Sequence, residues 1–146
     1  MRQIVNTIKY IHDLKIVHRN LKLDSIFVKF ENENDKNKLN LLKAQIKISD
    51  FGFATYKKDN QLLNDLLGSP IYMDPLILKF FIGSGNLVKE KLGYDEKVDI
   101  WSLGVLCYEM TLGNLPFDGQ NMQDLYSQIE EGSYKFPTYL SNLFLL

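Results

Sequence analysis

Residues 98–112, VDIWSLGVLCYEMTL, are the feature that most restricts the fold of this chain, because they are apolar on nearly every side of a helix. A helix with that pattern is buried inside a domain and does not lie on its surface. The chain has 146 residues, of which 45% are hydrophobic, which suffices for one soluble domain with a core. We therefore expect residues 98–112 to form a central helix around which the other elements pack.

Three other segments have clear secondary-structure patterns. Residues 2–14 repeat isoleucine at helical spacing and predict a helix. Residues 26–30 and the AQIKIS stretch before Asp50 are short and rich in β-type apolar residues, so they predict two strands of a hairpin. The charged, Asn-rich ENENDKNKLN between them predicts a long polar loop at the hairpin tip.

The remaining segments are punctuated by turn and cap residues. Residues 50–75 hold no periodicity and contain Gly68, so we expect a loop there. Asn121 precedes apolar residues at helical spacing and Gly132 follows them, which predicts a helix from about 121 to 131.

The composition excludes several functional classes. A formal net charge of −1 offers no basic surface for nucleic acid, so we expect no nucleic-acid partner. The single cysteine, Cys107, excludes an internal disulfide, and two histidines without a cysteine cluster leave no zinc spacing. No run of 18 apolar residues occurs, so we expect no membrane insertion. These features favour an intracellular, cytoplasmic setting.

Four short motifs stand in one order along the chain: HRNLKLDS at 18–25, DFG at 50–52, MDP at 73–75 and DIWSLG at 99–104. This set resembles the C-terminal lobe of a eukaryotic protein kinase of the Ser/Thr type. The resemblance implies a mostly α fold, with helices around one buried central helix and a small β-hairpin carrying the catalytic loop and DFG. Within the family, GSPIYMDP and LGNLPFDGQNMQDLYSQI look most similar to the autophagy-initiating kinases.

The resemblance assigns roles to five positions, and two of them carry unexpected residues. Asn20 stands at the position of the catalytic aspartate, and Ser25 stands where an asparagine usually holds a second Mg²⁺. Lys22 matches the lysine that steadies the transferred phosphate. Asp50 matches the metal-binding carboxylate, and Phe27 matches the floor of the adenine site. ATP and Mg²⁺ are the cofactors that the family implies, although we expect this chain alone to bind them poorly.

Further positions match structural roles of the family. His18 is expected to pack against Phe51, and Asp99 is expected to bind backbone amides of the catalytic loop. No Ser, Thr or Tyr occurs from Lys57 to Gly68, so phosphorylation there is not available. Asp65 is a candidate to supply a fixed negative charge to Arg19 instead.

The function predicted from the resemblance is a Ser/Thr protein-kinase-like domain that has lost phosphotransfer and acts as a pseudokinase or binding module. The resemblance covers residues 1–146 but only about half of a kinase domain, so we expect the N-terminal lobe and the final helices to be absent. The alternatives are a fragment of an active Ser/Thr kinase and a gene fragment without function. A protein substrate or protein partner is expected, and the apolar end FPTYLSNLFLL could be exposed for one.

Overall fold

A computed structural model describes residues 1–82 and 93–137, except for the side chains of residues 79–82. Helices dominate, and four short strands form two small sheets. In chain order the elements are α1 (Arg2–Asp13), β1 (Ile16–Val17), β2 (Ile26–Lys29), α2 (Glu33–Asn37), β3 (Gln45–Ile48), β4 (Thr55–Tyr56), α3 (Pro75–Ile82), α4 (Lys97–Leu112) and α5 (Met122–Glu131). The predicted helices at 2–14, 98–112 and 121–131 are confirmed.

Helix α4 lies between two apolar clusters, as expected for a central helix. On one side, Leu103 and Leu106 pack with Leu21 and with the isoleucines of α1. On the other side, Val98 and Val105 belong to a second cluster, whose other members include Met73, Ile77, Leu78, Phe117, Leu125 and Ile129. Burial of large aliphatic side chains contributes about 1.5–3 kcal/mol each, so these two clusters account for the position of α4.

One face of α4 is open, which corrects the expectation of burial on every side. Ile100 keeps 54% of its surface exposed. Among the described residues, a Cβ added to Gly104 would meet no atom within 4 Å. This face borders a groove of 630 Å³, whose lining includes Trp101, Tyr108 and Phe117. The apolar pattern predicts burial inside one core, whereas in the described residues this side of the helix lines a groove.

The predicted hairpin is confirmed, but its tip differs from the prediction. Strands β2 and β3 pair antiparallel, with Ile26 opposite Ile48, and both isoleucines pack against the cluster beneath α1. The tip contains the short helix α2 where a loop was predicted. The Asn32 side chain accepts a hydrogen bond from the backbone N–H of Asp35 at 2.8 Å, and this N-cap favours a helical turn.

A second small sheet and the capped helix α5 complete the described chain. Strands β1 and β4 pair antiparallel, and β4 lies within residues 50–75, where only a loop was predicted. Helix α5 is capped by Asn121, which accepts a hydrogen bond from the Asp124 N–H, and it ends at Gly132 with φ of 62°. None of the helices in the described ranges combines the length and the apolar composition needed to span a bilayer. Most of the apolar end FPTYLSNLFLL lies outside the described residues.

Candidate active site

The catalytic-loop segment is held by one buried carboxylate. Asp99, at the start of α4, has no exposed surface. Its Oδ2 accepts hydrogen bonds from the backbone N–H of His18 and from Nε2 of His12, and its Oδ1 accepts from the backbone N–H of Arg19, each at 2.8 Å. The predicted contact between Asp99 and the loop amides is therefore confirmed. Arg19 has a φ of 67°, a left-handed conformation that a non-glycine residue adopts at a cost. The Asp99 contacts hold that conformation.

His18 joins this segment to the DFG segment. It is fully buried, and its Nε2 donates to the Ser49 carbonyl at 3.0 Å. Its ring lies 4.7 Å from the Phe51 ring in an edge-on arrangement, which is favourable for aromatic pairs. The predicted packing of His18 against Phe51 is confirmed. Residues that are about 30 positions apart in sequence are thus brought within hydrogen-bonding distance.

Asn20 and Asp50 meet at this junction. Nδ2 of Asn20 donates to Oδ2 of Asp50 at 2.8 Å, and Oδ1 of Asn20 accepts from the Ser69 hydroxyl at 3.0 Å. The opposite amide orientation would place two oxygens against each other at Asp50, whereas the Ser69 hydroxyl could pair with either end of the amide. The Asp50 carboxylate therefore supports this orientation.

The residues present fit a divalent cation poorly. Mg²⁺ is bound by carboxylates and phosphates in near-octahedral geometry. Asp50 offers one carboxylate, and the Asn20 N–H group already points at it. Across residues 1–82 and 93–137, no three His, Cys, Asp or Glu side chains group as a metal site would require.

The other predicted site residues are Ser25, Lys22 and Phe27, and they differ in burial and in hydrogen bonding. The Ser25 hydroxyl is buried, donates to the Lys22 carbonyl at 2.7 Å and accepts from the Lys22 N–H at 3.2 Å. Those bonds close a local turn, so the hydroxyl is already engaged. Phe27 is exposed on β2, and Lys22 is half-buried. Roles for Lys22 and Phe27 in phosphate and adenine binding stay predictions.

The loop after DFG is anchored on Arg19. Nη1 of Arg19 donates to Oδ2 of Asp65 at 2.7 Å and to the Tyr94 hydroxyl at 3.3 Å, and its Nε donates to the Phe53 carbonyl. The Arg19 side chain is only 6% exposed, whereas Asp65 is 58% exposed. Burial opposes the charge on Arg19, but its hydrogen bonds to Asp65 and Tyr94 outweigh burial and raise its pKa. The contact that was proposed between Asp65 and Arg19 is present.

Gly68 lets this loop approach the catalytic-loop backbone closely. Its φ is 122°, and a Cβ there would lie 2.8 Å from the Arg19 carbonyl oxygen. Both the conformation and the close approach require glycine. Gly68 thus places the following residue, Ser69, beside Asn20.

Comparison with known proteins agrees with this geometry. The model of the protein kinase domain matches residues 1–142. The chain belongs to the protein kinase family. It is 34% identical over 139 residues to the Caenorhabditis elegans serine/threonine-protein kinase plk-2, covering 95% of this chain and 18% of the relative. It is 37% identical over 139 residues to the Drosophila melanogaster serine/threonine-protein kinase polo, covering 94% of this chain and 20% of the relative.

These relatives refine the subgroup prediction. Both are named as polo-type kinases, and neither supports the predicted likeness to autophagy-initiating kinases. The chain spans about a fifth of the length of the curated relatives that it matches. The activity and substrates of a whole kinase are therefore matters for proposal.

Removal of the Asp65 charge should loosen the loop of this kinase domain. In Asp65→Asn the buried Arg19 guanidinium loses its anionic partner. We expect the free energy of opening the loop to fall by about 1–2 kcal/mol, which is less than for a fully buried pair because Asp65 is exposed. Amide hydrogen exchange within residues 57–68 should then rise by about 10-fold.

A matched control comes from the same loop. Asp59 is 78% exposed and pairs with Lys15, which is itself 49% exposed, so Asp59→Asn should leave the exchange nearly unchanged. If Asp65→Asn and Asp59→Asn gave the same exchange pattern, the Arg19 contact would have no role in ordering the loop.

Sequence reasoning missed three contributors to the site of this kinase domain. Ser69 lies within a motif of the resemblance, Tyr94 matches none of the motifs, and His12 is one residue of the predicted helix at 2–14. Each acts through a partner far away in sequence: Ser69 through Asn20, Tyr94 through Arg19, and His12 through Asp99. No local pattern in the sequence marks such contacts.

Proposed function

We propose that this chain is the C-terminal half of a Ser/Thr protein-kinase-like domain whose phosphotransfer is impaired and which acts as a protein-binding module. The observation that carries the proposal is the state of Asn20. Its amide nitrogen donates to Asp50 and its amide oxygen accepts from Ser69, so the group is held as a neutral hydrogen-bond bridge and offers no base to a substrate proton.

The chemistry of the amide supports the same proposal. In a kinase, an aspartate at this position accepts the proton of the substrate hydroxyl. An amide carries no charge and is not a useful base. A positioned general base contributes about 10²–10⁴-fold in rate, which corresponds to roughly 3–5 kcal/mol of transition-state stabilisation. Asn20 therefore removes a large part of the catalytic effect.

The retained scaffold supports a binding role. Asp99, His18 and Phe51 hold the catalytic loop and DFG together although the base position has changed. A domain that keeps its shape can still bind another protein, and protein kinases act on proteins. The proposal therefore names a protein as partner, in the cytoplasm, and no nucleic acid.

A second candidate function is catalysis by a longer chain that contains this half. It is favoured by the Arg19–Asp65 ion pair, which orders the loop after DFG without phosphorylation. Lys22 and Asp50 are also retained. In that case ATP and Mg²⁺, which the family generally uses, would be bound with the help of residues outside this chain.

A phosphotransfer assay on the full-length protein tests the proposal. With labelled ATP, Mg²⁺ and a library of Ser/Thr peptides, the natural sequence should transfer no more label than an Asp50→Ala variant. Label transfer clearly above that of Asp50→Ala would favour the second candidate and overturn the first. For the isolated chain we expect Mg-ATP to leave the unfolding temperature unchanged. A rise in that temperature that is lost in Phe27→Ala would contradict this expectation.

A further inference from the structure

Three separate segments of the chain meet at one buried amide. Asn20 belongs to the catalytic loop, Asp50 to DFG, and Ser69 to the turn that precedes α3. The Asn20 side chain donates to one neighbour and accepts from the other, at 2.8 Å and 3.0 Å, and the residue is only 7% exposed. We name this arrangement the Asn20 bridge.

An amide suits this position better than a carboxylate does. Ionised Asp50 can only accept hydrogen bonds, and the Ser69 hydroxyl is bonded as a donor. An aspartate in place of Asn20 could accept from Ser69 but could not donate to Asp50. Two carboxylate oxygens would then lie about 3 Å apart without a proton between them, which is unfavourable unless a cation separates them.

The bridge continues into the core through the turn after Ser69. The Tyr72 carbonyl accepts a hydrogen bond from the Ser102 hydroxyl of α4 at 2.7 Å. Met73 is buried in the cluster on that side of α4. The turn is thus held at one end by Asn20 and at the other by the central helix.

The bridge also acts on the backbone of Asp50. Asp50 has φ of 64° and ψ of 51°, in the left-handed region that a non-glycine residue adopts only at a cost. A hydrogen bond to its carboxylate offsets part of that cost, because bonds to charged groups are among the stronger ones.

We propose that Asn20 is a positioning residue that holds Asp50 and the Ser69 turn together without a metal ion. The amide N–H occupies the place at the carboxylate that a cation would otherwise take. The docking of the Ser69 turn is therefore independent of divalent cations. This inference goes beyond the proposed function, because it concerns conformation and is measured without any phosphotransfer.

The test compares thermal unfolding in EDTA with unfolding in millimolar Mg²⁺, together with hydrogen exchange of residues 66–73. The natural chain should have the same midpoint and the same protection in both solutions. Asn20→Asp should lower the midpoint in EDTA by about 3–8 °C and increase exchange of the turn. Mg²⁺ should recover most of that loss, because it can bind between the two carboxylates.

Two further variants separate the bridge from general effects of charge. The exchanged pair, Asn20→Asp with Asp50→Asn, restores one amide beside one carboxylate, so it should recover the midpoint in EDTA and should not respond to Mg²⁺. Asn121→Asp makes the same charge change at the α5 N-cap, where aspartate and asparagine cap equally well, so it should be neutral.

The results that overturn the inference are equally specific. A Mg²⁺-dependent rise of the midpoint in the natural chain would show that a cation competes with the amide. Equal stability of Asn20→Asp and the natural chain in EDTA, with unchanged protection of residues 66–73, would show that the bridge does not hold the turn. If Asn20→Asp does not fold in EDTA, the exchanged pair decides: failure of that pair to recover also overturns the inference.

Discussion

Replacement of Asn20 by aspartate, in a protein in which an N-terminal kinase lobe completes this half, is expected to raise phosphotransfer by about 10²–10⁴-fold when it is assayed with Mg²⁺ and ATP. The reason is that aspartate restores a proton acceptor at the position where the substrate hydroxyl reacts. The new carboxylate would still accept from Ser69, since that bond needs only an acceptor. The measurement is the initial rate of label transfer to a peptide library.

Controls distinguish a restored base from a change of charge. Asn121→Asp adds the same charge on α5 and should leave the rate at the natural level. Asn20→Asp combined with Asp50→Ala should also remain at background, because the carboxylate that we propose to hold Mg²⁺ in the second candidate function is removed. Adding Ser25→Asn to Asn20→Asp replaces the hydroxyl that closes the buried turn at Lys22. A further rise in rate would therefore show that this turn admits the larger asparagine side chain. If the natural protein and Asn20→Asp transferred phosphate equally fast, Asn20 would not be the limiting change.

Asp99→Ala is expected to be the most destabilising single substitution at the site, by about 3–5 kcal/mol. It leaves the buried backbone N–H groups of His18 and Arg19 without acceptors, and each such group costs about 1–3 kcal/mol. The His12 contact is lost as well. Because domains of this size are stable by only about 5–15 kcal/mol, the midpoint of urea unfolding should fall strongly.

Two comparisons make this prediction specific. Asp99→Asn keeps one carbonyl oxygen as an acceptor and should fall between Asp99→Ala and the natural chain. Asp13→Ala removes an exposed carboxylate that pairs with Lys9 at the surface and should cost less than about 0.5 kcal/mol. Similar midpoints for Asp99→Ala and Asp13→Ala would contradict the view that Asp99 anchors the catalytic loop.

Local patterns predicted the main elements of the fold. The isoleucine spacing of α1, the cap and stop residues of α5 and the β-type apolar residues of β2 and β3 are properties of neighbouring residues, so the sequence alone reveals them. The helix α2 escaped prediction because a charged, Asn-rich segment is typical of loops, and only the Asn32 cap indicates a helix. The open face of α4 escaped prediction because periodicity measures hydrophobicity and does not show what covers it.

Some contacts of the candidate site were predicted, such as that of Asp99 with the catalytic-loop amides, and others were not. The resemblance placed Asn20 and Asp50 at one site, and the structure brings their side chains together. It also placed Ser25 at a metal position, whereas the Ser25 hydroxyl is engaged by the Lys22 backbone. A motif shows which residue types are present, but the partner of each polar atom depends on the folded geometry.

The sequence by itself determined the family of this chain, its central helix and the loss of an acidic group at residue 20, because these follow from residue types and their order. Only the tertiary structure decided what Asn20 does in place of that group. Hydrogen bonding requires a donor and an acceptor about 3 Å apart in a suitable direction. Asn20, Asp50 and Ser69 satisfy that requirement only after folding joins segments that lie 30 and 49 residues from Asn20.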